Sequence, residues 1–364
     1  MQSTSDRRRI MPASGAPSDT LRIERLDVPG YDDVRTCEDP ATGLRAIIAV
    51  HDTRLGPALG GTRFYPYPDH AAALTDVRRL SEGMTYKAAA AGLPLGGGKA
   101  VIIGDPAALK TPALLRSYGQ FVDSFDGRYV TAADIGTTSA DLDVIGETTR
   151  HVAGLTEAAG GFGDSSMSTA LGVLAAIRAA TLSTLNRTLA GIRVGVEGVG
   201  KVGSCLVDLL LDAGASVVVC ERYAPARARF QQAHPELSIV EDLFDTPVDV
   251  YAPCALGASL TPESVAALRA SIVCGAANNQ LSGADVEGQL HRRQIVWVPD
   301  YVANAGGLIQ VAAERGGRTL VEARDQIRRL ENVVLDILRR AERQGSTPAR
   351  AAEEIADDRL HGRP

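Results

Sequence analysis

The chain is poor in aromatic residues and in the side chains that hold metals. Phe, Tyr and Trp make up 4% of its 364 residues against 37 glycines, so its core must come from small and aliphatic side chains with many close backbone approaches, a composition that suits an α/β enzyme. The six histidines, His51, His70, His151, His234, His291 and His361, show no ligand spacing, and neither an HExxH nor a CxxC pair occurs. A metalloenzyme is therefore disfavoured, and no metal is expected. The five cysteines, Cys37, Cys205, Cys220, Cys254 and Cys274, are odd in number and far apart, and read as reduced core residues. No long basic run is present, and 38 Lys plus Arg against 44 Asp plus Glu leave a net charge of -6, which makes nucleic acid and anionic membranes poor partners. No apolar stretch is read as reaching the roughly 18 to 20 residues that span a bilayer, and a secretory signal order is missing, so a cytoplasmic location is expected. The first twenty residues, polar and rich in small side chains, are expected to be disordered.

What is present is an α/β pattern long enough for about two domains of roughly 150 residues each. A β-rich run at 44–50 precedes a helix over 69–91, with Ala73, Val77, Leu80 and Met84 on one face. Strands are predicted at 100–103 and 129–132, with a helix over 112–125 between them. The glycines at 160, 161 and 163 mark a boundary. Beyond it, apolar runs at 192–196, 216–220, 249–252 and 271–274 alternate with helices, which predicts a doubly wound parallel sheet. Leu320, Ile327, Leu330, Val334, Ile337 and Leu338 line one face of a long C-terminal helix expected to pack back on the first domain. The expected division is 1–20 disordered, 21–160 a mixed α/β substrate and oligomerisation domain, 161–313 a Rossmann-like dinucleotide-binding domain, and 314–364 a helical segment.

The strand at 192–196 runs into GVEGVGKVG, where Gly198, Gly200 and Gly203 fit G-x-G-x-x-G at a strand-to-helix junction. Gly198 allows the tight turn, Gly200 lets backbone approach a pyrophosphate, and Gly203 permits close helix packing, with the helix N-terminus favouring the phosphate charge. Glu221 ends the next strand about twenty residues on, where a carboxylate accepts hydrogen bonds from a ribose diol. A glycine turn with a surface acid is the plainer explanation, but strand, helix and acid together favour NAD. Arg222 keeps NADP as the second choice, since an arginine there accommodates a 2′-phosphate that Glu221 repels.

The segment GMTYKAAAAGLPLGGGKAVIIGDP places Lys87 at a helix end and Lys99 beyond three glycines. Either lysine alone reads as a snorkelling surface residue. Together, two ammonium groups in an apolar cleft depress the pKa of one, making it a usable base while the other holds a carboxylate, and Gly96, Gly97 and Gly98 leave room for a small substrate. Asp134 follows the strand at 129–132, at the strand end where α/β catalytic residues gather; a turn or helix cap is its plainer role.

HDTRLGPALGGTRFYPY, GMTYKAAAAGLPLGGGKAVIIGDP, TAADIGTTSADLD, GDSSMSTALGV, GVEGVGKVG, CALG, CGAANNQL and PDYVANAGG occur in that order between about Asp27 and Glu314. The combination resembles the glutamate/leucine/phenylalanine/valine dehydrogenase family, and within it the valine (branched-chain) members most. The resemblance implies reversible oxidative deamination of an L-α-amino acid to its 2-oxo acid and ammonia, with hydride passed to a nicotinamide. It implies Lys99 as the base that activates water, Asp134 as the group exchanging protons with the amino nitrogen, and Lys87 as the holder of the substrate carboxylate. It places Gly60 at the substrate, Asn279 near both substrate and cofactor, and Thr169, Lys201, Val202, Arg222 and Ala255 with the glycine loop at the cofactor. A homo-oligomer and domain closure over the intervening cleft are expected as well.

The substrate class follows from pocket lining. Glutamate-specific relatives carry a lysine where this chain has Leu59, and a hydroxyl residue where it has Val311. A buried carboxylate without those partners costs several kcal/mol, which argues against glutamate. Leu59, Met84, Ala132, Leu308 and Val311 instead predict an apolar pocket for a branched-chain or small aliphatic amino acid. Leu308 adds a methylene where valine or a smaller residue is expected, which favours valine by roughly 1 to 3 kcal/mol. The alternatives are the same reaction on phenylalanine or tryptophan, and a dinucleotide-binding protein without turnover. Departures from the family pattern are Ala133 before the aspartate, Ser166-Met167 in place of a proline-containing stretch, and Glu221-Arg222 in place of an aspartate ending.

Overall fold

The computed structural model describes residues 21–255 and 257–362, so the stretch expected to be disordered lies outside the described residues. The chain forms two compact units. One comprises residues up to Thr85 together with Gly96–Gly163, and the other comprises Tyr86–Leu95 with the chain from Asp164 onward.

The first unit is built on one six-stranded sheet of β1 (Arg22–Leu26), β2 (Asp33–Asp39), β3 (Leu44–Asp52), β4 (Ala58–Tyr65), β5 (Gly96–Ile103) and β6 (Tyr129–Ala133). The order is β1-β2-β3-β5-β4-β6, antiparallel as far as β5 and parallel from β5 through β4 to β6. Both faces of the central strands are covered, which is why β3 reads as a continuous apolar run rather than an alternating one. Ile47 and Ala49 of β3 pack with Ala73 and Val77 of α1 (His70–Ala90). Ala46, Ile48 and Val50, pointing the other way, share a core with Leu114, Tyr118 and Phe121 of α3 (Pro112–Asp123) and Leu142 and Ile145 of α4 (Ser139–Gly146); the short α2 (Pro106–Leu109) buries nothing. Thr111 caps α3 ahead of Pro112, and Thr138 with Asp141 forms a capping box on α4.

Strand β5 starts at Gly96 rather than Ala100, and its three glycines do not leave room for a substrate. A Cβ on Gly97 would lie 2.1 Å from Thr85 Oγ1 of α1, and one on Gly98 would lie 2.7 Å from the Tyr129 ring. The protein's own atoms fill that space. The absent side chains let α1 and Tyr129 close onto the sheet, which corrects the expectation of a substrate clearance.

The second unit holds a six-stranded, all-parallel sheet of β7 (Arg193–Glu197), β8 (Ser216–Cys220), β9 (Ser238–Val240), β10 (Val250–Pro253), β11 (Ile272–Val273) and β12 (Val296–Trp297). The order β12-β11-β10-β7-β8-β9 reverses between β7 and β10, the topological switch point at which doubly wound sheets bind ligands. Its helices are α5 (Ser166–Leu185), α6 (Lys201–Asp212), α7 (Ala224–Ala233), α8 (Pro262–Ala267), α9 (Ala284–Arg292), α10 (Asp300–Ala303), α11 (Gly306–Arg315), α12 (Leu320–Arg328), α13 (Leu330–Gln344) and α14 (Pro348–Leu360).

Two expectations change here. Helix α5 is long and apolar enough to cross a membrane by length and composition, contrary to the reading that no stretch approached that size. It is mostly buried and packs against α6, α11, α12 and α13, so it is the central helix of this unit. The single long C-terminal helix read from Leu320 to Leu338 is instead two, α12 and α13, and α14 follows as a third. The apolar face from Leu320 to Leu338 continues across a one-residue joint at Arg329, and α13 then ends at Gly345, whose φ of 62° suits glycine; Thr347 and Pro348 start α14. From α14, Arg359 donates through Nη1 to the carbonyls of Ala89 and Ala90, both at 2.6 Å, and so caps the C-terminal end of α1.

Candidate active site

In the first unit the sheet order brings together residues distant in sequence. Lys99 lies on β5, opposite Ala49 of β3, and Asp134 directly follows β6; β4 runs between β5 and β6 and supplies Arg63. Lys99 Nζ is 2.8 Å from Asp134 Oδ2, and Arg63 Nε reaches the same oxygen at 3.2 Å. Arg63 Nη1 donates to Asp76 Oδ2 at 2.9 Å, and the Tyr67 hydroxyl donates to that Asp76 oxygen at 2.5 Å. The turn after β6 is pinned by Thr137, whose hydroxyl accepts from the Asp134 N–H and donates to the Thr62 carbonyl. The Lys99 side chain is 9% exposed and that of Asp134 21%. Burial pushes the Asp134 carboxyl upward, but the charge and hydrogen bond of Lys99 and the charge of Arg63 outweigh it and hold the group below its ordinary value. Within this unit Lys99 thus faces a carboxylate. Leu59, Gly60 and Ala132 are buried on β4 and β6, the Gly60 carbonyl accepts from the Tyr129 hydroxyl at 2.8 Å, and Met84 is half-buried on α1.

Lys87 belongs to the second unit. Its Nζ donates to Asn304 Oδ1 at 2.5 Å, and Asn304 Nδ2 donates in turn to the Ala276 carbonyl at 3.1 Å and to Asn278 Oδ1 at 2.7 Å. The Asn304 side-chain orientation is therefore fixed from both ends. Asp300 sits behind it, accepting from the Gln280 N–H at 2.9 Å; burial raises its pKa, with that hydrogen bond and the Lys87 charge opposing. Asn279 has an exposed side chain and a left-handed backbone with φ of 52°, and its carbonyl accepts from the Ala258 N–H. Leu308 is buried and Val311 half-buried on α11.

The glycine loop lies at the switch point between β7 and β10. Gly198 has φ of 90°, and a Cβ there would meet Ala255 at 2.7 Å, while a Cβ on Gly203 would lie 1.9 Å from the Gly198 carbonyl oxygen. Only glycine serves at either position. A Cβ on Gly200 would meet nothing within 4 Å, and Gly200 opens α6 without a side-chain cap, so backbone N–H groups of its first turn are left to an anion. Lys201 pairs with Asp164 at 2.7 Å, Val202 follows in the first turn of α6, Arg222 is exposed, and the Thr169 hydroxyl donates to the Ser165 carbonyl. Glu221 accepts from the Val199 N–H through Oε2 and from the Tyr223 N–H through Oε1, both at 2.8 Å. A carboxylate has about four acceptor sites, so a ribose diol still finds two. These residues fit a dinucleotide.

A family model of the Glu/Leu/Phe/Val dehydrogenase dimerisation domain matches residues 31–151, and one of glutamate/leucine/phenylalanine/valine dehydrogenase matches residues 220–352. The chain is 47% identical over 353 residues to a valine dehydrogenase of Streptomyces albus, covering 95% of this chain and 97% of that protein. The chain belongs to the glutamate/leucine/phenylalanine/valine dehydrogenase family. It is also 42% identical to a phenylalanine dehydrogenase of Caldalkalibacillus thermarum, over 92% of each chain. The crystal structure of L-tryptophan dehydrogenase from Nostoc punctiforme matches with a TM-score of 0.81 at 40% identity, covering 92% of this chain and 96% of that one.

This amino acid dehydrogenase carries polar partners that the sequence reading gave no role. Arg63 stands in the GGTRF stretch and Asn304 in PDYVANAGG, both inside quoted motifs, while Asn278 neighbours the chosen Asn279. Being beside a chosen residue was the available signal. Tyr67 closes the same motif as Arg63, whereas Asp76 carried no signal, since an acid on a helix reads as a surface residue.

Proposed function

We propose that this dehydrogenase performs the NAD-dependent, reversible oxidative deamination of a branched-chain or small aliphatic L-amino acid, valine foremost, to its 2-oxo acid and ammonia. The observation that carries the reading is the Lys99 to Asp134 contact at 2.8 Å, a nitrogen base within β5 and a carboxylate just past the end of β6, both largely out of water. Lys87, oriented by Asn304, holds the substrate carboxylate. A bound nicotinamide would supply the acceptor for the Cα hydride, and the chain's own groups move the protons. Asp134 accepts a proton from the amino group, leaving an imine. Lys99 takes a proton from the water that adds to the imine carbon, Asp134 returns its proton to nitrogen, and the departing ammonia carries off the hydroxyl proton as ammonium, which leaves the 2-oxo group. Leu59, Met84, Ala132, Leu308 and Val311 supply the apolar lining, with Gly60 and Asn279 beside the substrate's polar end. Gly198, Gly200, Lys201, Val202, Gly203, Ala255 and Thr169 hold the dinucleotide.

The purified protein, given valine, leucine, phenylalanine, tryptophan and glutamate with NAD or NADP in alkaline buffer, is expected to reduce NAD fastest with valine and to leave glutamate untouched. Preference for an aromatic amino acid would refute the use made of Leu308. Silence across the panel would favour a binding protein without turnover.

Glu221 selects NAD through the ribose diol and repels a 2′-phosphate, and it also ties down the glycine loop at Val199. Glu221→Ser is therefore expected to raise the NADP-to-NAD ratio of kcat/KM while lowering the use of both cofactors. An unchanged ratio would mean that Glu221 does not read the ribose.

A further inference from the structure

We propose that Arg63 is a positioning residue that anchors Asp134 through Oδ2, leaves Oδ1 to exchange the proton with substrate, and keeps the carboxylate ionised when Lys99 is neutral. This rests on the roles given above to Lys99 and Asp134. Lys99 and Arg63 both contact Oδ2, at 2.8 and 3.2 Å, so the anchored oxygen is the one least able to reach a substrate nitrogen.

The second part follows from charge. A base must give up its proton, yet Lys99 and Asp134 as an isolated pair hold that proton between them. When Lys99 becomes neutral, the buried carboxylate loses a counter-ion and gains reason to take the proton itself. Arg63 prevents this because a guanidinium does not deprotonate in proteins. It is also held in place independently of the pair, since Asp76 Oδ2 accepts from Arg63 Nη1 at 2.9 Å and from the Tyr67 hydroxyl at 2.5 Å. The charged groups that act on Asp134 from the packed elements of this unit are thus Lys99 on β5 and Arg63 on β4, and Arg63 is in turn acted on by Asp76 of α1 and Tyr67 beyond β4.

The test is the pH profile of kcat/KM for valine oxidation by the full chain bearing Arg63→Met, Arg63→Lys or Asp76→Asn. Its acidic limb belongs to the coupled pair. Removing a positive charge makes deprotonation harder, so Arg63→Met is expected to move that limb to higher pH by a unit or more and lower kcat at least tenfold, with little change in KM. Arg63→Lys keeps the limb near the wild-type position and recovers part of kcat. Asp76→Asn removes a negative charge and moves the limb the other way, which keeps the proposal open to refutation if Arg63→Met does not fold. An unmoved limb in Arg63→Met, equal impairment of Met and Lys variants, or an upward shift in Asp76→Asn would each overturn it. Substantial turnover in Lys99→Ala or Asp134→Asn, run in parallel, would instead overturn the roles given above to Lys99 and Asp134, on which the proposal rests.

Discussion

Lys99→Ala and Asp134→Asn each lower kcat for amino acid oxidation by about 10²- to 10⁴-fold, the usual worth of a positioned acid or base. The loss is chemical rather than structural. Lys99→Ala leaves Asp134 paired with Arg63, so destabilisation stays below the roughly 3 to 5 kcal/mol of an uncompensated buried charge. Asp134→Asn keeps the shape and removes only the charge. The measurements are the initial rate of reduced nicotinamide formation and a thermal melt of each variant. Near-normal turnover in either variant would remove that residue from the reaction.

Asn304→Ala raises KM for the amino acid by about 10- to 100-fold and lowers kcat less, because it removes a hydrogen bond to a charged group worth roughly 1.5 to 3 kcal/mol. Asn304 is buried and its amide is committed at both ends, so its loss removes the hydrogen bond that orients Lys87 Nζ while leaving the lysine's charge in place. Lys87→Met should then cost more than Asn304→Ala, since charge and position go together. Saturation kinetics with valine separate the two. An unchanged KM in Asn304→Ala would mean that Lys87 does not need this partner to hold a carboxylate.

Much of this was readable in the sequence, and the reasons it was readable are physical. Strand β8 at Ser216–Cys220 fell where its apolar run begins and ends, because a strand covered on both faces has no polar position to blur its edges. The glycine loop was legible because two of its glycines cannot carry a Cβ, a requirement that survives in any sequence. Lys99 and Asp134 stood out as charged residues beside apolar strands. What the sequence hid depends on sheet order. Nothing in the chain says that β4 lies between β5 and β6, so nothing says that Arg63 shares an oxygen with Lys99. The glycines at 96–98 misled for the same reason, since the atoms that crowd them come from α1 and from Tyr129. The C-terminal helix was read through its joint because Arg329 keeps helical dihedrals, and the apolar face passes across it without a break.

The capping of α1 bears on how the molecule is made. Lys87 finds its amide partner 217 residues further on, and the carbonyls of Ala89 and Ala90 find theirs 270 and 269 residues further on. At about 5 to 20 residues per second of synthesis, Asn304 emerges on the order of ten to forty seconds after the lysine, and Arg359 later still. Through that interval the end of the helix has no tertiary partner for its terminal carbonyls, and contacts of such sequence separation are the slow ones to form. Lys87 therefore meets its amide partner only once synthesis has passed Asn304, and that helix end gains its anchor only after Arg359.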